Sequence, residues 1–67
     1  MEADFKWSAE QKARVQPGMT IQSHSPMMRG RQRIIEAELF FVRVEDDDIF
    51  DSLIPWGYCD PESLEGR

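Results

Sequence analysis

A small α+β domain is the fold class this sequence predicts: a two- to three-stranded antiparallel sheet around a central strand at 33–45, with short helices beside it. Three observations lead there. Arg33–Glu45 is the longest apolar stretch of the chain and is rich in β-branched and aromatic side chains. A second alternating segment, Met19–Ser23, is bracketed by Pro17-Gly18 and Ser25-Pro26. Ser8 with Gln11, and Asp60 with Pro61, carry the spacing of helix starts. A small SH3-like β-barrel is the alternative, because an apolar residue followed by Pro-Gly and a strand often opens such barrels.

The central strand has a helix as its rival. On a helical wheel Glu38 falls inside the apolar arc and Phe40 falls among charges, so the helix is not cleanly amphipathic. Strand alternation puts Ile35, Ala37, Leu39 and Phe41 on one face. The opposite face carries Ile34, Glu36, Glu38, Phe40, Val42 and Val44. Both faces become apolar around Leu39-Phe40, which calls for a bulge or bend there. Each large apolar side chain fully buried in this stretch contributes about 1.5–3 kcal/mol, so something must cover both faces.

The elements before it follow from local signals. Glu2–Trp7 alternates as a short half-buried strand. A helix runs from Ala9 to about Val15, with Ser8 and Gln11 forming a capping box, and stops at Gln16-Pro17-Gly18. Pro17-Gly18 suits the middle of a type II turn, glycine taking the positive φ. Met19–Ser23 is the strand that pairs with Ile34–Phe41. Met27–Arg33 is then a long connecting loop with three arginines.

After the central strand, Asp46-Asp47-Asp48 caps a short helix over Ile49–Leu53 that Pro55 ends. Trp56–Cys59 is irregular, and Asp60-Pro61-Glu62 starts a last helical turn. The chain reads as a single small domain over 1–67, frayed from 65 to 67.

Composition bounds the function. At 67 residues a chain buries only about 60% of its unfolded surface, so oligomerisation or a partner is a reasonable source of extra stability. One cysteine excludes an internal disulfide, and one histidine excludes a Cys/His zinc site within one chain. The lone Cys59 and the absence of a signal-like segment point to a cytoplasmic setting. No apolar run reaches the roughly 18 residues of a membrane span.

Catalytic chemistry is not indicated, and no cofactor is. His24 lies between Ser23 and Ser25, but neighbours on a strand point to opposite faces. Cys59 has no basic neighbour to lower its thiol pKa. The acids of Asp46–Asp51 lack the alternate spacing and internal glycine of a calcium loop.

Charge is the remaining signal. The formal net charge is −5. Residues 45–67 hold eight acids against Arg67 alone, a net of −7, while 29–33 hold three arginines and no acid. The acidic segment is interleaved with aromatics, which serve as interface anchors. In composition it is like many short acidic inhibitors encoded by phages. The expected function is a non-enzymatic, acidic protein-binding protein that docks on and modulates a larger, basic, nucleic-acid-handling partner, by inhibition or by mimicking nucleic acid. Asp46, Asp47, Asp48, Phe50, Asp51 and Trp56 are the expected contact. One alternative is a nucleic-acid-binding module using Arg29, Arg31 and Arg33, whose planar forks suit phosphate; the competing reading of those arginines is pairing with the chain's own acidic tail. The other is a structural homo-oligomer, such as a homodimer, sealed through Phe40 and Val42.

Overall fold

The computed structural model describes residues 4–45 and 52–66. Helix α1 (Ala9–Ala13) is followed by strands β1 (Thr20–His24), β2 (Arg29–Ala37), β3 (Phe41–Val44) and β4 (Ser52–Pro55), then by 3₁₀ turns at Trp56–Tyr58 and Pro61–Ser63. Four strands, one more than the largest number expected, form an antiparallel sheet in the order β1-β2-β3-β4. After β4 the chain returns to the outer edge of β1 through the bridges Ser23–Cys59 and Thr20–Glu65. The sheet is curled into a half-barrel.

The largest correction concerns the central strand. Residues 33–45 do not lie extended as one strand. The chain reverses at Leu39-Phe40, and the amide of Glu38 donates to the carbonyl of Phe41 at 2.8 Å to close a hairpin. The physical reason is the need to cover the apolar face. Folding the segment back sets Ile34 beside Val44 in register, so that Ile34, Val42 and Val44 all point into one interior. A shift in register between Ile34 and Glu36 leaves Ile35 as the extra residue of a bulge. The bend expected near Leu39-Phe40 is therefore a full turn, and the bulge sits four residues earlier than Leu39.

The β1–β2 hairpin forms with Thr20 opposite Arg33 and His24 opposite Arg29. Its connection is shorter than expected, because β2 begins at Arg29 and the arginines belong to the strand. Gly30 makes this extension feasible. Its φ is +113°, a backbone conformation that L side chains rarely adopt, while a Cβ built there meets nothing within 4 Å. Gly30→Ala is thus expected to destabilise by about 1–2 kcal/mol through backbone strain alone. Chemical denaturation checks this, and an unchanged midpoint would refute it.

Other local signals hold. Ser8 accepts from the Gln11 amide at 3.1 Å, and Gln11 Oε1 accepts from the Ser8 amide at 2.8 Å, completing the capping box. The helix ends earlier than expected, with Arg14 as its C-cap. Gly18 takes φ +93°, and the Met19 amide donates to the Gln16 carbonyl across the turn. Asp60 caps the turn Pro61–Ser63 by accepting from the Glu62 amide.

Three segments differ. Phe5 and Trp7 are half-buried between exposed Asp4 and Lys6, as alternation suggests, yet the only backbone tie of this stretch among the described residues is Phe5 N–H to the Gly57 carbonyl. Ser52-Leu53 opens β4 rather than closing a helix; the rest of the expected helix, Ile49–Asp51, lies outside the described residues. Glu65, where fraying was expected to start, exchanges two backbone hydrogen bonds with Thr20.

The core consists of Val15, Ile21, Ile34, Val42, Val44, Ile54, Trp56 and Cys59, with Trp7, Met19, Met28, Tyr58 and Leu64 packed around it. No helix among the described residues is long and apolar enough to cross a membrane.

Candidate functional site

The residues weighed for nucleophilic chemistry are kept apart by strand alternation. Ser23 and Ser25 point inward and are buried, while His24 is exposed and rests against Phe5, ring centroids 5.3 Å apart. The serine hydroxyls are occupied locally: Ser23 Oγ accepts from the Ser25 amide and Ser25 Oγ from the Met27 amide. Cys59 is fully buried, and burial pushes its thiol up to about 12. At neutral pH it carries no thiolate to attack with. Its Sγ lies 3.8 Å from the Pro55 carbonyl. Among the described residues no group of three or more His, Cys, Asp or Glu converges on a metal position.

Of the expected acidic contact, Asp46, Asp47, Asp48, Phe50 and Asp51 lie outside the described residues. Their flanks are fixed. Val44 and Ser52 are register partners, so the acidic segment joins β3 to β4, and the Glu45 amide donates to the Arg33 carbonyl. Trp56 is only 6% exposed. Its ring meets Trp7 at 4.7 Å between centroids, Lys12 Nζ lies 5.3 Å above it, and its Nε1 donates to the Glu38 carbonyl at 3.1 Å. Trp56 therefore ties α1 to the β2–β3 hairpin from inside. Val42 is fully buried as well, so only Phe40 of the Phe40–Val42 pair reaches the surface.

The basic residues are brought together as a row rather than a loop. Arg29, Arg31 and Arg33 occupy alternate, exposed positions of β2, with His24, Gln22 and Thr20 opposite them on β1. Arg31 donates to the Ser63 carbonyl, which fixes its stem against the last 3₁₀ turn. The ion pairs among the described residues are Lys6–Asp4 and those of Arg43 with Glu36 and Glu38.

One surface was anticipated only in part, through Phe40 as a homo-oligomer contact and without Leu39 or the turn. Leu39 and Phe40 are each 74% exposed at the tip of the β2–β3 hairpin. Behind the tip lies a groove of about 390 Å³ between Ala9 and Ala13 of α1, Ala37, Leu39 and Trp56. A larger cleft of about 520 Å³ opens between the loop Pro26–Met28 and Leu53–Pro55 of β4, with Tyr58 on its wall. The Leu39-Phe40 turn contains no glycine, proline, asparagine or aspartate to announce it. The signal that was present is charge. On one continuous strand Arg43 would face away from Glu36 and Glu38, whereas a reversal sets all three together, Arg43 meeting Glu38 at 2.9 Å and Glu36 at 3.8 Å.

No protein-family model matches the chain, and neither a curated protein nor a solved structure is significantly similar to it.

Proposed function

We propose that this chain is a non-enzymatic binding domain that docks on a larger protein with a basic, nucleic-acid-handling surface and modulates it. The observation that carries the reading is the hairpin tip. Leu39 and Phe40 stand three-quarters exposed on a turn closed by a backbone hydrogen bond. Glu36, Glu38 and Arg43 form a charged rim beside them, and Lys12 lines the groove behind. Apolar anchors inside a polar rim are the anatomy of interface hot spots. An isolated pair of large apolar side chains at a turn does nothing for the core, so its use lies outside this chain.

The acidic run supports the choice of partner. It leaves β3 at Glu45 and returns at Ser52, at the opposite end of the strand from the tip. Charge there steers association with a basic surface and speeds it more than it tightens it. The finer fold reading, an SH3-like barrel, is supported by strands in sequential order followed by a 3₁₀ turn and a return to the edge of β1.

Affinity capture with three baits tests the function. Leu39→Ser/Phe40→Ser is expected to leave stability within about 0.5 kcal/mol of the parent, since both side chains are exposed, and to abolish capture of the partner. Asp46→Lys/Asp47→Lys is expected to weaken capture and flatten its salt dependence. Equal recovery of the same proteins by all three baits would show that neither surface docks.

A further inference from the structure

We propose that the outer face of the β1–β2 hairpin binds the backbone of single-stranded nucleic acid. This goes beyond the protein-docking reading, uses a different surface and does not depend on it. A strand rises about 3.3 Å per residue, so alternate side chains repeat at about 7 Å along a line. Arg29, Arg31 and Arg33 therefore fall at alternate exposed positions along β2, opposite His24, Gln22 and Thr20, an arrangement that suits an extended polyanion.

Two features leave the row available among the described residues. None of the three arginines forms an ion pair with a carboxylate among the described residues. Only Arg31 has a described intramolecular bond, to the Ser63 carbonyl, which leaves most of its donors unused and holds the middle of the row in place. The facing positions of β1 are Thr20, Gln22 and His24, none of them acidic.

The choice of polyanion comes from the two ends of the row. At the Arg29 end, exposed His24 and half-buried Phe5 form a ring pair at 5.3 Å, a surface on which an unpaired base can stack. At the Arg33 end, the backbone bond from Glu45 marks the start of the chain's own acidic run. A narrow single strand fits along the row between these limits. A duplex is broad enough to bring its second strand toward Glu45, whose backbone is bonded to Arg33, and an acidic peptide gains nothing from the ring pair.

Fluorescence anisotropy of the full chain with a labelled oligothymidylate of about twelve nucleotides reads this directly. Neutralising three phosphates of a single strand gives a slope of log K against log salt of about −2. Arg29→Gln/Arg33→Gln leaves Arg31 and its Ser63 bond intact. It is expected to reduce affinity at least tenfold and the slope to about −0.7, with an unchanged unfolding midpoint. Duplex DNA of the same length is expected to bind more weakly, and polyglutamate of matched charge to compete poorly. Binding that ignores salt, a double variant that binds like the parent, tighter binding of duplex, or displacement by polyglutamate as effective as by unlabelled oligothymidylate would each overturn the proposal. The last result would make the row a site for acidic peptides instead.

Discussion

Replacing Trp56 with alanine is expected to cost about 3–5 kcal/mol, most or all of the stability that a domain of this size holds. The indole is buried, touches Trp7, carries Lys12 above its face and donates to the Glu38 carbonyl. Alanine removes the ring and leaves that carbonyl without its donor, beside a groove that already separates α1 from the hairpin. Urea denaturation followed by circular dichroism measures the loss. Trp56→Phe separates the two contributions: it keeps an aromatic ring in the core and is expected to lose about 1 kcal/mol through the missing hydrogen bond, plus a smaller packing deficit. An alanine variant that unfolds at the parent's midpoint would remove Trp56 from its place as the tie between α1 and the sheet.

Alkaline destabilisation is the second large effect. Burial holds the Cys59 thiol near 12, against 9.0 for an ordinary thiol. Below pH 9 the thiol is protonated in both the folded and the unfolded chain, and its contribution is unaffected. Between pH 9 and 12 the unfolded chain releases the proton while the folded chain keeps it. The folded state then binds more protons, so stability falls as pH rises, by up to about 1.4 kcal/mol per unit. The expected withdrawal across the whole window is about 4 kcal/mol. Cys59→Ala abolishes this contribution, so its stability declines less steeply over the window, whatever it loses in packing at lower pH. Denaturation midpoints of the two proteins at several alkaline pH values decide the matter, and parallel declines would rule out a buried thiol as the cause.

Short-range chemistry was the part of this fold most legible from residues alone. Ser8 and Gln11 cap each other, Gly18 takes positive φ after Pro17, and Asp60 caps the turn at Pro61, because each depends on atoms only two or three residues away. That Met19–Ser23 forms a hairpin strand was legible too, but its partner was not: Arg29–Arg33, expected as loop, pairs with it in place of Ile34–Phe41. The reversal at Leu39-Phe40 was not. Its turn uses no residue with a special backbone preference, and the benefit that selects it, Ile34 meeting Val44 inside, arises only once four strands exist. Trp56 was misjudged as a surface anchor for a related reason. Aromatics beside acids look alike whether they face a partner or the interior, and only the return of the chain across α1 distinguishes them.

The ties between Thr20 and Glu65, and between Ser23 and Cys59, also set a timetable. A nascent chain leaving the ribosome can zip its first three strands while one flank of Thr20–His24 still has naked amides and carbonyls. That flank stays open to any passing extended peptide until Cys59 and Glu65 emerge and seal it. Protein truncated before Cys59 is accordingly expected to collect as strand-paired aggregates.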